Sequence, residues 1–202
     1  LITGGSAIAQ GLPDNFRRRN KIAAANAPAP IAGTGRAVIL AGSCSEATRR
    51  QLARAGELWP SFRIEPEAVM TGRDVVKEAV DWASRQPADH PISIYSSADP
   101  EQVAAAYSRF GREAVSGALE RTLSAIAVEL RKLGAGRFLV AGGETSGAVV
   151  SALGIRAMRI GTQIAPGVPW TESVEASPIA LTLKSGNFGG PDFFERALEA
   201  LA

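Results

Sequence analysis

The chain has 202 residues, 46% hydrophobic side chains, and 22 Lys and Arg against 20 Asp and Glu, for a formal net charge of +2. Those values belong to a globular protein with a core of its own, one large domain or two small ones, and they exclude wholesale disorder and a fibrous repeat. With no run of about 18 apolar residues there is no transmembrane helix, and with one short basic run, Arg17, Arg18, Arg19 and Lys21, no basic face for nucleic acid.

Cys44 is the single cysteine and His90 the single histidine. Internal disulfides, multi-cysteine metal sites and two-histidine zinc sites are thereby excluded. His90 lies between Pro87 and Pro91 and reads as a surface loop residue. Leu1-Ile2-Thr3-Gly4-Gly5-Ser6 reads as the end of a strand with no signal-peptide pattern before it, so the chain is expected to be cut from a longer protein.

Residues 1–36 carry little periodicity, and Pro28, Pro30, Gly33 and Gly35 mark an extended arm or linker. Ala37-Val38-Ile39-Leu40-Ala41 fits a strand buried on both faces. Gly42-Ser43-Cys44-Ser45 follows, then a helix over 46–55, with Ser43 and Glu46 at capping-box spacing and Gly56 as its stop. A short strand is expected at 62–64, a helix over 74–84 and a strand over 91–95. In the long helix over 112–133, Val115, Leu119, Leu123, Ile126, Leu130 and Leu133 form one apolar stripe, ended by Gly134 and Gly136. Then come a strand at 137–141, a Gly-rich turn at 142–147, a short helix at 148–153, strands at 157–160 and 179–183, and a loop at 184–190. Pro191 suits the first position of a closing helix over 192–201. Strands alternating with helices predict an α/β fold with a mostly parallel central sheet and helices on both faces.

Three strand ends carry small-residue loops that feed helices: Gly42-Ser43, Gly142-Gly143-Glu144-Thr145, and Gly186 within Ser185 to Gly190. In an open parallel sheet ligands bind at the carboxyl ends of strands, and a glycine turn before a helix brings unpaired N–H groups to an anion. Three such loops on one edge point to a nucleotide or a phosphorylated metabolite. Neither a Walker A motif nor Gly-x-Gly-x-x-Gly is present, so a P-loop NTPase and a standard NAD fold are not supported. Lys184 is equally a phosphate contact or an exposed strand-end lysine. Glu144 either faces a Mg²⁺ ion on the phosphates or hydrogen-bonds its own loop. Cys44, with no base beside it, reads as a small buried residue.

Val140-Ala141-Gly142-Gly143-Glu144-Thr145-Ser146-Gly147, Ile164-Ala165-Pro166-Gly167-Val168-Pro169-Trp170 and Leu183-Lys184-Ser185-Gly186-Asn187-Phe188-Gly189 stand in the order and spacing of the four-carbon acid sugar kinases. The opening Thr3-Gly4-Gly5-Ser6 with Gly11-Leu12-Pro13 also resembles the segment entering that family's C-terminal half, in its 3-oxo-tetronate branch. The resemblance covers essentially the whole chain. It implies a cytoplasmic, two-domain, ATP- and Mg²⁺-dependent kinase acting on the terminal hydroxyl of 3-oxo-tetronate, threonate or erythronate. This chain is then the nucleotide-binding half: 1–36 a leading segment and linker from a missing N-terminal substrate domain, 37–202 the nucleotide-binding domain. The family's ATP contacts carry over onto Ser43, Gly142, Gly143, Glu144, Thr145 and Gly186, beside Gly42 from the loop reading. The resemblance implies ATP and, through the missing domain, a four-carbon sugar acid as partners, with no nucleic acid or membrane and a homo-oligomer left open. The catalytic base is not assigned, and the fragment alone is expected to be inactive. A non-catalytic nucleotide- or phosphosugar-binding module and a phosphosugar isomerase-like domain remain the alternatives.

Overall fold

The computed structural model describes residues 6–23, 28, 30–96 and 100–201. A 3₁₀ turn at Ser6–Gly11 leads into α1 (Leu12–Arg18), which has a proline in its first turn and buries no residue. The leading segment is therefore not wholly irregular: the helix forms upstream of the Gly- and Pro-rich stretch, where Asp14 pairs with Arg17 at 2.8 Å. The chain then runs through β1 (Arg36–Ala41), α2 (Glu46–Leu58), β2 (Ser61–Arg63), α3 (Pro66–Met70), α4 (Val75–Ser84) and β3 (Ile92–Tyr95). After these come α5 (Pro100–Phe110), α6 (Arg112–Lys132), β4 (Ala135–Ala141), α7 (Gly143–Ala152), β5 (Met158–Ala165), β6 (Val168–Ser173), β7 (Ala180–Lys184) and α8 (Phe193–Glu199).

The seven strands form one sheet in the order β2-β3-β1-β4-β7-β6-β5. Pairing is parallel from β2 across to β7 and antiparallel at β7–β6 and β6–β5. This is the α/β domain, with a mostly parallel sheet, that alternating strands and helices predict. Its core has two sides. Val38, Leu40, Phe138 and Val140 face α4, α6 and α7, whereas Ile39, Ala41, Leu139 and Ala141 face α2 and α8. Alternate residues of one strand thus enter opposite layers, which is why β1 and β4 read as unbroken apolar runs. The α6 stripe is real: Val115, Leu123, Ile126 and Leu130 are buried, and Leu133 falls beyond the helix end and is exposed.

Several boundaries differ from the sequence reading. Gly56 lies inside α2 and Gly136 inside β4, since tertiary packing carries both elements past a residue that weakens them. The N-cap of α2 is Ser45, not Ser43 of the expected capping box. Pro191 precedes the N-cap Asp192 of α8 and is not its first helical residue. α3, α5 and β6 are not anticipated. β5 and β6 form a hairpin turning at Pro166-Gly167, with Gly167 at φ +77. The Ile164 to Trp170 motif is this hairpin.

The chain order places a switch between β1 and β4. From β1 the connections pass outward to β2 and β3 on one side; from β3 they return to β4 on the other. Loops leaving two neighbouring strands in opposite directions open a crevice at the strands' carboxyl ends. The loops after β1 and β4 flank that crevice, and β7 adds a third beside β4.

Candidate functional site

The three loops are tied to one another by backbone bonds. Gly42 and Ser43 N–H groups donate to Ala141 O at 3.1 and 3.3 Å, and Gly142 N–H donates to Lys184 O at 2.9 Å. A Cβ on Gly42 would stand 2.2 Å from Thr145 Oγ1, and one on Gly186 would stand 2.4 Å from Ser43 Oγ, so both positions accept only a hydrogen. Gly42, Ser43, Gly142, Gly143, Glu144, Thr145 and Gly186 all line one cleft of about 280 Å³.

The floor of that cleft is the start of α7. The sequence reading places Gly143, Glu144 and Thr145 in a turn; the structure makes them the first residues of the helix. Gly142 alone makes the turn, at φ +127, a conformation that favours glycine. The first intrahelical bond runs from Ser146 N–H to Gly142 O at 2.9 Å, and no side chain caps the helix. The N–H groups of Gly143, Glu144 and Thr145 therefore precede the ladder, at the positive end of the helix dipole. A Cβ on Gly143 would meet nothing within 4 Å, so there is open space beside the first turn, where Gly143 lines the cleft. The neighbouring helix α2 is closed by its own cap, Ser45 Oγ accepting from Thr48 N–H at 3.2 Å.

The loop after β7 has its carbonyls turned into the protein. Gly186 O accepts from Ser45 Oγ at 2.7 Å, Thr48 Oγ1 at 2.9 Å and Lys184 Nζ at 3.1 Å. Gln51 Nε2 lies 3.0, 3.1 and 2.9 Å from the carbonyl oxygens of Phe188, Gly189 and Gly190. Among the described residues nothing accepts the N–H of Gly186 or Asn187. Sequence reasoning missed Ser45, Thr48 and Gln51 as loop supports. Their three-residue spacing marks one polar face at the start of α2 but not the distant backbone carbonyls that it meets.

Lys184 is neither of the two things expected of it. It is 2% exposed, and its Nζ lies 3.0 Å from Thr48 Oγ1 and 3.2 Å from Ser185 O, beneath the loop. Among the described residues no carboxylate pairs with it, and burial pushes its amine down to about 8. Cys44 is also corrected: it is exposed on the cleft wall, because the residue after Ser43 lies outside both core layers.

The cleft contains two carboxylates, Glu120 from α6 and Glu144 from α7, and among the described residues no Lys, Arg or His. Burial, and then the charge of Glu144, push the Glu120 carboxyl above its usual range. Among the described residues no three metal-binding side chains converge. The pair does not make a complete protein-built metal site. Its hard oxygens suit a magnesium ion that shares its coordination with phosphate oxygens.

A family model described as the nucleotide-binding C-terminal domain matches residues 38–194. The chain belongs to this family. As a nucleotide-binding C-terminal domain it also has curated relatives over its whole length. It is 50% identical over 202 residues to the 3-oxo-tetronate kinase of Burkholderia multivorans, covering 100% of this chain and 47% of the relative. It is 50% identical over 206 residues to the 3-oxo-tetronate kinase of Cupriavidus necator, covering 100% and 46%. The chain therefore spans about half the length of these relatives, and it matches their C-terminal part. Among solved structures it resembles Haemophilus influenzae protein HI1011 with a TM-score of 0.81 and 36% identity, over 92% of this chain and 45% of that one. Among the described residues no helix is long and apolar enough to cross a membrane.

Proposed function

We propose that this chain is the ATP-binding half of a kinase that phosphorylates the terminal hydroxyl of a four-carbon sugar acid, of the 3-oxo-tetronate type first and the threonate or erythronate type second. In this reading residues 1–36 lead in from an N-terminal substrate domain and 37–202 hold the nucleotide. The observation that carries it is the uncapped start of α7 behind Gly142 and Gly143, open to the cleft beside the Gly186 loop. Helix N-termini with glycine at the first turn hold phosphate oxygens through backbone N–H groups. The names of the relatives support the same reaction class.

Phosphoryl transfer asks the protein mainly for positioning and charge neutralisation. The N–H groups of Gly143, Glu144 and Thr145 orient the phosphate chain from one side. The free N–H groups of Gly186 and Asn187 and the hydroxyl of Ser43 orient it from the other. Gly42 permits this by letting Thr145 pack against the β1 loop. Magnesium, when bound, neutralises charge on the phosphates, and Glu144 with Glu120 would hold it. Lys184 adds positive charge below the Gly186 loop without reaching the cleft surface.

The test is calorimetric titration of the intact protein with Mg²⁺ and a non-hydrolysable ATP analogue, wild type against Gly143→Val. The new side chain enters open space and leaves the packing intact, so the fold persists and nucleotide affinity falls at least about tenfold, the equivalent of one lost good contact. Unchanged affinity refutes the site. A coupled kinase assay with the three tetronates then assigns the acceptor, and sugar phosphates binding as tightly as ATP would favour a phosphosugar module instead.

A further inference from the structure

The phosphate loops occupy only one end of the cleft. The other end is walled by Pro66, by Val103, Ala106 and Tyr107 of α5, and by Val115 and Leu119 of α6. These two helices meet at Gly111, whose φ of +84 lets α5 fold back on α6. The Tyr107 ring is fixed there: the Arg112 guanidinium lies 4.7 Å from its centroid, and its hydroxyl lies 3.3 Å from Ser116 Oγ. The cleft is thus polar at the strand ends and aliphatic and aromatic under the helical hairpin, with Glu120 at the junction.

We infer that the apolar slot between α5 and α6 is the seat of the nucleotide base, and that Tyr107 and Leu119 are its positioning residues. The inference rests on the nucleotide reading above and assigns the part of the cleft that reading leaves open. A flat heteroaromatic base gains by leaving water for aliphatic and aromatic walls, with a few polar groups at its rim. A hydroxyl-rich four-carbon acid gains little there, because aliphatic and aromatic walls leave most of its hydroxyls and its carboxylate without hydrogen-bond partners.

Two probes separate the ends of the cleft: an ATP analogue, which fills both, and inorganic tripolyphosphate, which has no base. Both are titrated with Mg²⁺ into the intact protein. In the wild type the ATP analogue binds at least about tenfold more tightly than tripolyphosphate, the increment of base burial. Leu119→Trp fills the slot, so ATP affinity falls to that of tripolyphosphate while tripolyphosphate affinity stays within about twofold. Ala106→Trp fills it from α5, and it serves where the Leu119 variant does not fold; retained tripolyphosphate binding certifies the fold of each. Equal wild-type affinity for both probes, or tryptophan variants that bind ATP normally or lose both ligands together while melting as the wild type does, overturns the assignment and leaves the phosphate site standing. Failure of the wild type to bind either probe overturns the nucleotide reading, and this inference with it.

Discussion

Lys184 is a buried ammonium whose Nζ is surrounded by a hydroxyl and two carbonyls, with a phenyl ring 5.9 Å away. Such an environment satisfies its hydrogen bonds and leaves its charge uncompensated, which is why burial lowers it from 10.5 to about 8. Between those two values the unfolded chain holds a proton that the folded chain has released. Stability from this group therefore rises as pH climbs from about 8 toward 10.5 and is lost as pH falls through about 8. Against Lys184→Met, which has no such proton, the wild type should gain stability over that window in urea unfolding at successive pH values. The ligand should sense the same titration with the opposite sign. An anion above the Gly186 loop favours the charged amine, so wild-type nucleotide affinity should weaken across the window and that of the methionine variant should not. Parallel affinity profiles in the two proteins would show that Lys184 supports the loop and contributes no field to the site.

At the scale of elements, the start of α2 holds the last loop. Its Ser45, Thr48 and Gln51 face the loop's carbonyls, and Gln51 is 1% exposed while supplying a donor to three of them. Gln51→Leu keeps the volume and removes that donor, so it should destabilise the fold by about 1–3 kcal/mol, the cost of unsatisfied buried acceptors. Denaturant midpoints measure it, and nucleotide affinity should fall as well, because the loop's outward N–H groups are set by its inward carbonyls. A stable variant with normal affinity would mean that the loop holds its shape unaided. The same elements show what a sequence can reveal. β1, β4 and β7 are legible because strands buried on both faces read as largely apolar runs, broken in β7 only by the buried Thr182 and Lys184. The site loops are legible because close approach between Gly42 and Thr145, and between Gly186 and Ser43, permits only glycine at those positions. β5 is under-read because Arg159, Ile160, Thr162 and Gln163 are exposed at the sheet's edge, which breaks the alternation. α5 is missed because Pro100 reads as a loop exit although it stands as the first helical residue. The polar face of α2 is illegible as loop support because its partners are backbone carbonyls far along the chain, which carry no sequence signature.

On the scale of the whole molecule, the sheet divides the labour. The β1–β4 switch and β7 carry the candidate site, and the β6–β5 hairpin extends the sheet away from it, closed beneath by α8 through Trp170, whose Nε1 donates to Ala197 O at 2.7 Å. A ligand in the cleft touches loops and helix starts, the parts of a fold that open most readily, and leaves the buried strands as they were. Hydrogen exchange with and without Mg²⁺ and the ATP analogue should therefore slow in 42–45, 142–146 and 185–190 and in the α5–α6 wall. The strands β1 and β4 are protected in either state, because Val38, Leu40, Phe138 and Val140 are fully buried. The hairpin, with its exposed outer strand and no residue in the cleft, should exchange at the same rate with ligand and without. Slowing centred on the hairpin would move the site to the far edge of the sheet, against the placement that the strand order dictates. Slowing in the three loops without the α5–α6 wall would keep the phosphate site and remove the base seat.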